Sequence, residues 1–387
     1  MAENVTLSSA VRSNLNALQN TSRLLSSVQE KLSTGKKVNS ALDNPNSFFT
    51  AKGLENRAND LSTLLDDMGQ SVQTLKAADK GISAISDLVD AAKAKANQAA
   101  QTSSQTERNQ YAKEYNELLT QIEDIAKDSG YKGKNLLGGN GNDLSVTFNE
   151  DGSSSLAISA VDFTDTTSST GLNLSDLAEA TSGTSTISLN SAATGSAALT
   201  GGNLLTDDAE FTAGDTLTFT DSNGTEIGSL EITDTTTVAD LEAAIDDIDG
   251  ASADLSGGTL TITSEFNLSV SSDNAAFNSG ASLTTNGTDS TFGLDSNIDK
   301  TLSSLKKAQD TLRSQASTFG TNLSIVQTRQ DFTTSLINTL EEGAGKLTLA
   351  DTNEEGANLL ALQTQQSLAS TSLSLAAQAD QNVLRLF

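Results

Sequence analysis

The chain has no cysteine, no histidine and no tryptophan, and a single proline among its 387 residues. Without cysteine there is no disulfide framework and no thiolate metal site. Without histidine or cysteine, Ser-His-Asp and Cys-His nucleophile arrangements are excluded, and so are HExxH zinc sites. No GxxxxGK[ST] phosphate loop occurs, and "GNGNDLS" at 139–145 has no lysine behind it. Proline usually makes up about 5% of a chain, so a sequence whose one proline is Pro45 favours long uninterrupted helices over many turns. No stretch reaches the roughly 20 apolar residues of a membrane span. The first 30 residues hold no apolar run of signal-peptide type, so no cleaved signal is expected. These absences leave no cofactor to expect and argue against an enzyme.

Basic residues are also missing from one long stretch. Between Lys134 and Lys300 there is no lysine or arginine, while residues 135–299 carry 26 of the 50 acids. The other 24 acids share the two ends with all 23 bases, so the ends are nearly neutral and the middle holds almost all of the net −27. Nucleic-acid binding needs a basic face, and the middle offers none. An all-acidic segment repels its own copies and stays hydrated. Near-neutral ends carry little repulsion against packing on like ends.

The ends are patterned as helices. Val11, Leu15, Leu18, Leu25, Val28 and Leu32 form one apolar stripe, which stops at "STGKKVNSALDNPNSFF", where Gly35 and Asn44-Pro45 act as breakers. A second stripe follows the heptad positions 61, 65, 68, 72, 75, 79, 82, 86 and 89, with Asp79 and Ser86 the two polar members. After a break at "SSQTER" (103–108), a third helix runs through Tyr111, Tyr115, Leu118, Ile122 and Ile125 to Ser129-Gly130. Heptad spacing returns from Ile298 to Leu340 and is interrupted by "EEGAGK" (341–346). A last helix carries Leu359, Leu362, Ala369, Leu373, Ala376, Val383 and Phe387. Heptads sustained over such lengths predict a coiled-coil-like bundle in which the two ends pair. No face is basic enough for membrane-surface binding; the last helix has one basic residue, Arg385.

The middle, rich in Ser, Thr, Gly, Asp and Asn, is β-patterned. "DLSVTF" and "SLAISAVDF" read as hairpin arms around "NEDGSS". "DTLTFTDSNGTEIGSLEIT" reads as two strands joined at Asn223-Gly224, "TVADLEAAIDDI" as a short amphipathic helix, and "GGTLTITS" as a further strand. Asp246, Asp247 and Asp249 lack the spacing and closing Glu of an EF-hand loop, and like Asp207 and Asp208 they read as a solvated face. The Asn-x-Ser/Thr matches at 223, 267 and 286 read as turn residues.

Two stretches carry a family resemblance. "EKLSTGKKVNSALDNP" (30–45) resembles the N-terminal signature of bacterial flagellins, R-L-S-S-G-x-R-I-N-S-A-x-D-D, with Leu32, Ser33, Gly35, Val38, Asn39, Ser40, Ala41 and Asp43 in place. The closing "LAAQADQNVLRLF" is similar to the family's Q-x-N-x-x-P-Q-x-V-L-x-L-L through Gln378, Gln381, Val383, Leu384 and Leu386. Asn44-Pro45 in place of a second acid and an alanine resembles the alphaproteobacterial branch. The resemblance implies a mainly α fold with a β-rich insert. Residues 1–45 with 345–387 would form an inner helical terminal domain. Residues 46–180 with 293–344 would form a helical rod with a β-hairpin, and residues 181–292 an acidic α+β outer domain. It implies a subunit that polymerises into the helical filament of the bacterial flagellum, or, in the alternative, a hook–filament junction protein.

The expected interface and core stripe is Val11, Leu15, Leu18, Leu25, Leu32, Leu359, Leu362, Leu373, Val383, Leu384, Leu386 and Phe387. The expected signature loop is Gly35, Asn39, Ser40, Ala41, Asp43 and Pro45. The partners implied are further copies of the chain, a flagellar secretion chaperone at the C-terminal helix, and the filament cap and hook–filament junction proteins. No nucleic acid and no membrane insertion are implied. The implied location is the extracellular filament, reached through the flagellar type III channel. Burying Val383, Leu384, Leu386 and Phe387 is worth about 1.5–3 kcal/mol each. Ordering some forty residues at each end costs about 1–2 kcal/mol per residue in backbone entropy. Neighbouring subunits are therefore expected to supply the missing burial.

Overall fold

The computed structural model describes the backbone of residues 9–193 and 195–384, and the side chains of all of these except 10 and 380–384. The helices are α1 (Ser9–Thr34), α2 (Pro45–Gln101), α3 (Gln105–Asp128), α4 (Val238–Asp246), α5 (Asp295–Thr348) and α6 (Thr352–Leu384). Between α3 and α5 lie β1 (Leu144–Thr147), β2 (Ser155–Ile158), β3 (Gly183–Ser188), β4 (Asn190–Ser191), β5 (Ala197–Ala198) and β6 (Thr216–Thr220). They are followed by β7 (Glu226–Glu231), β8 (Ala251–Ser256), β9 (Thr259–Ser264), β10 (Ser269–Ser272) and β11 (Leu283–Thr284), with α4 between β7 and β8. The fold is mainly α with a β-rich insert.

Helix ends follow local chemistry. Pro45 opens α2: it takes the first helical position, where a missing N–H costs nothing, and Asn44 Oδ1 accepts from Ser47 N at 3.1 Å. Ser104 caps α3 by accepting from Glu107 N at 3.2 Å. The interruption expected at "EEGAGK" does not occur, since α5 continues to Thr348. A mid-helix glycine costs about 1 kcal/mol relative to alanine, a cost this long helix carries at both positions. A Cβ on Gly343 would stand 3.4 Å from Leu54 Cδ1, and one on Gly345 would stand 3.0 Å from Leu349 Cδ1. The break comes after Thr348, and Asp351 starts α6 by accepting from Asn353 N at 2.9 Å and Glu354 N at 3.3 Å.

The chain divides into two compact units. One comprises Met1–Gly69, Thr147–Leu156 and Gln327–Phe387. Within it α1 packs along α6. The first part of α2 meets the last part of α5 through Ala58, Leu61 and Leu340, with Leu54, Leu64, Leu336 and Ile337 around them. The tip of the β1–β2 hairpin is held here. Arg57 Nε lies 2.6 Å from Glu150 Oε1, and the Arg329 guanidinium lies 5.1 Å over the Phe148 ring.

The other unit comprises Gln70–Val146 and Ala157–Val326. Its part of α5 buries every seventh residue: Ile298, Leu305, Leu312, Phe319 and Val326. Its part of α2 buries Leu75, Ala78, Ile82, Ile85, Val89 and Ala92. The expected stripe is thus corrected at two places: Ala78 and Ile85 fill the seam, while Asp79 is exposed and Ser86 half-buried. The expected count steps by four from Leu75, whereas the buried row steps by three to Ala78, then by four to Ile82 and by three to Ile85, so the alternation shifts phase after Leu75. From α3 come Tyr115, Leu119, Ile122 and Ala126.

The insert in this unit has its own core. Its two larger sheets are antiparallel, in orders β11-β10-β6-β7 and β3-β9-β8. Leu217, Phe219, Leu241, Ile245, Leu260 and Val270 are almost fully buried in that core. The β6–β7 turn falls at Asn223-Gly224 as its sequence predicts, with Gly224 at φ 75. β8 and β9 join through Gly257-Gly258, both left-handed at φ 60 and 81, as a two-residue hairpin requires. α4 carries a full capping box between Thr237 and Asp240.

Candidate assembly surface

The terminal helices are tied to each other where α1 ends and α6 begins. Lys31 Nζ at the end of α1 lies 2.9 Å from Glu355 Oε1 at the start of α6, with the Glu355 side chain only 11% exposed. Ala350 N donates to Gly35 O at 3.0 Å, and Lys37 N donates to Thr348 O at 2.8 Å. The C-terminus of α1 therefore abuts the N-terminus of α6, and the two run antiparallel.

The strap between α1 and α2 is shaped by the signature residues. Gly35 sits at φ 69, the left-handed conformation that ends a helix and that other residues resist. Asp43 Oδ2 accepts from Asn39 N and Ser40 N, each at 2.9 Å. These amide bonds, Ser40 first and then Asn39, hold the Asp43 carboxyl below its ordinary value. Asn39 Nδ2 donates to Thr34 Oγ1 at 3.0 Å. Ala41 is half-buried and Pro45 opens α2.

The pairing of α1 and α6 is shallow. Val11 and Val28 are buried, whereas Leu15, Leu18, Leu25 and Leu32 are half-buried. On α6, Leu359, Leu362, Ala369, Leu373 and Ala376 are half-buried, and among its described residues no apolar side chain is fully buried. The backbone of Val383 and Leu384 belongs to α6, but their side chains lie outside the described ones. Leu386 and Phe387 lie outside the described residues altogether.

Pattern reasoning missed a second apolar row. Leu360, Leu368 and Leu375 are 67%, 64% and 62% exposed, and Leu24 on α1 is also exposed. Leu42, at 96%, Phe49 and Leu349 are exposed as well. The signal was present in the sequence: leucines left over once the heptad stripe is removed, spaced eight and seven residues along α6. Single exposed leucines need no explanation, whereas a recurring row does. Among the described residues no helix is long and apolar enough to cross a membrane.

Long helices with a half-covered apolar pair at the chain ends, and an acidic domain between them, define a structural subunit made to associate with other chains. Residues 5–142 match the model of the bacterial flagellin N-terminal helical region, and residues 296–387 that of the C-terminal helical region. Flagellin A of Rhizobium meliloti is 28% identical over 96% of this chain and 96% of its own length. Flagellin FljO of Caulobacter vibrioides is 34% identical over 35% of this chain, which spans 52% of that protein. The crystal structure of Xanthomonas campestris FlgL aligns with 73% of this chain and 98% of its own, at 12% identity and a TM-score of 0.33. The chain belongs to the bacterial flagellin family and is of alphaproteobacterial type. It is a structural subunit of the bacterial flagellar filament.

Proposed function

We propose that α1 and α6 form the surface through which copies of this chain assemble, and that the stripe from Val11 to Phe387 together with the leftover leucines of α6 supplies the contacts. The observation that carries this reading is the absence of any fully buried apolar side chain among the described residues of α6, a helix of 33 residues. Helices of this length are normally stabilised by a packed apolar face rather than by propensity. Here neighbouring copies complete it. Residues 1–45 with 345–387 act as the inner layer, 46–180 with 293–344 as the rod, and 181–292 as the outer domain.

The protein works by association and not as an enzyme. It leaves the cell through the flagellar type III channel. The C-terminal helix is held before export by a secretion chaperone, which covers the same apolar rows. In the finished organelle the chain meets the filament cap and the hook–filament junction proteins.

Purified chain in salt, seeded with short fragments, is expected to elongate into filaments visible by electron microscopy. Formation of short, non-elongating oligomers at every concentration would instead assign it to a junction.

A further inference from the structure

The two connections of the insert leave and rejoin the helical part near the α2–α3 turn, and a domain held by two extended strands is free to swing. Here the β6–β7 turn is bonded into that place instead. Asp221, 6% exposed, accepts Asn223 N and Thr225 N on one oxygen at 2.9 and 2.8 Å. Its other oxygen accepts Gln105 Nε2 at 3.0 Å and Asn223 Nδ2 at 3.2 Å. Gly293 O, at the exit of the insert, accepts from Asn223 Nδ2 at 2.8 Å, Arg108 Nη1 at 3.0 Å and Gln105 Nε2 at 3.3 Å.

Arg108 completes the junction. Its Nε donates to Thr102 O at 2.9 Å, and its Nη2 lies 2.7 Å from Asp295 Oδ1. It is the one buried Lys or Arg among the described residues. Ser104 Oγ adds a 2.6 Å bond to Asp249. Gly293 has no room for a side chain, since a Cβ there would stand 2.7 Å from Asp289 Cβ. Burial alone would raise the Asp221 carboxyl, but its bonds from Thr225, Gln105 and Asn223 outweigh burial and hold it below the ordinary value. The carboxylate therefore stays charged and keeps its donors at neutral pH.

We infer that this junction is a lock: the Asp221–Asn223 turn, gripped by Gln105 and by the Gly293 carbonyl that Arg108 holds in place, fixes the acidic insert in one orientation on the α2–α3 turn, and its loss frees the insert to swing without unfolding either part. The lock serves a free monomer as well as an assembled chain, so it does not depend on the assembly reading. Its use is geometric. With the insert fixed, every copy presents its carboxylates in the same direction.

Because the chain has no cysteine, Ser252→Cys on β8 and Thr311→Cys on α5, both exposed, give the full-length monomer two unique spin-label sites. The parent is expected to give one narrow distance distribution. Gln105→Ala and Asp221→Asn are each expected to broaden it severalfold while helical melting stays within a few degrees of the parent. Asn223→Ala, which removes two side-chain bonds and leaves Gln105 and Arg108 in place, decides the matter if Gln105→Ala also lowers helical melting. A distribution as narrow in Asp221→Asn and Asn223→Ala as in the parent overturns the lock, and so does a broad one in the parent.

Discussion

Replacing Leu360, Leu368 and Leu375 together by glutamate is expected to abolish filament growth and leave the monomer as stable as before. The three side chains are 67%, 64% and 62% exposed, so a lone chain loses little burial when they change. Glutamate and leucine have similar helix propensities, so α6 itself is not weakened. Under the proposed assembly the same positions face other copies in a filament. Burying a leucine there contributes about 1.5–3 kcal/mol, whereas an unpaired carboxylate in the same contact costs several kcal/mol. The penalty recurs three times in every subunit, so the effect is loss of assembly and not a graded weakening. Circular dichroism melting of the monomer and sedimentation after seeding read the two halves separately. Normal pelleting of the triple variant would show that the outer row of α6 is not a subunit contact.

Deleting residues 181–292 behind a short linker is expected to leave assembly competence intact and give thinner filaments. The insert has its own core, and the half-covered helices lie outside it. Arg108 keeps partners when the insert is gone, because Thr102 O, Gly293 O and Asp295 all remain. The deletion also removes a large block of uncompensated acids. Salt screens charge repulsion beyond about 8–10 Å at moderate ionic strength, so the intact chain should polymerise faster as sodium chloride rises and the deleted chain should respond far less. Equal salt dependence in both would remove the insert from the electrostatics of assembly. A folded deletion that never polymerises would show that the outer domain takes part in essential contacts.

The helical ends were legible because their signal is local and repeated: Leu305, Leu312 and Phe319 recur every seventh residue and are all buried. The β6–β7 hairpin was legible because Asn-Gly favours a chain reversal, and Gly224 takes the left-handed conformation at φ 75. β3 gave no such signal. Its inward positions are Gly183, Ser185 and Ile187, and two of these three are not apolar, so alternation cannot be seen. The continuation of α5 through Gly343 and Gly345 was hidden because glycine reads as a breaker, whereas the helix tolerates both. At the proposed assembly surface the heptad spacing was readable, but the exposed row of α6 leucines was not, because exposure is decided by what α1 leaves uncovered. The junction at Arg108 joins residues far apart in sequence, and no pattern in a single segment announces it.

The most direct measurement is amide hydrogen exchange of α1 and α6 in the monomer and in the assembled filament. In the monomer, amides from 352 to 379 should exchange much faster than those of α5 around Leu305 and Phe319, since the latter sit over fully buried side chains. In the filament, α1 and α6 should slow by orders of magnitude while α5 changes little. Terminal helices already protected in the monomer as strongly as α5, or unchanged on assembly, would contradict the proposal that copies of this chain complete one another's cores.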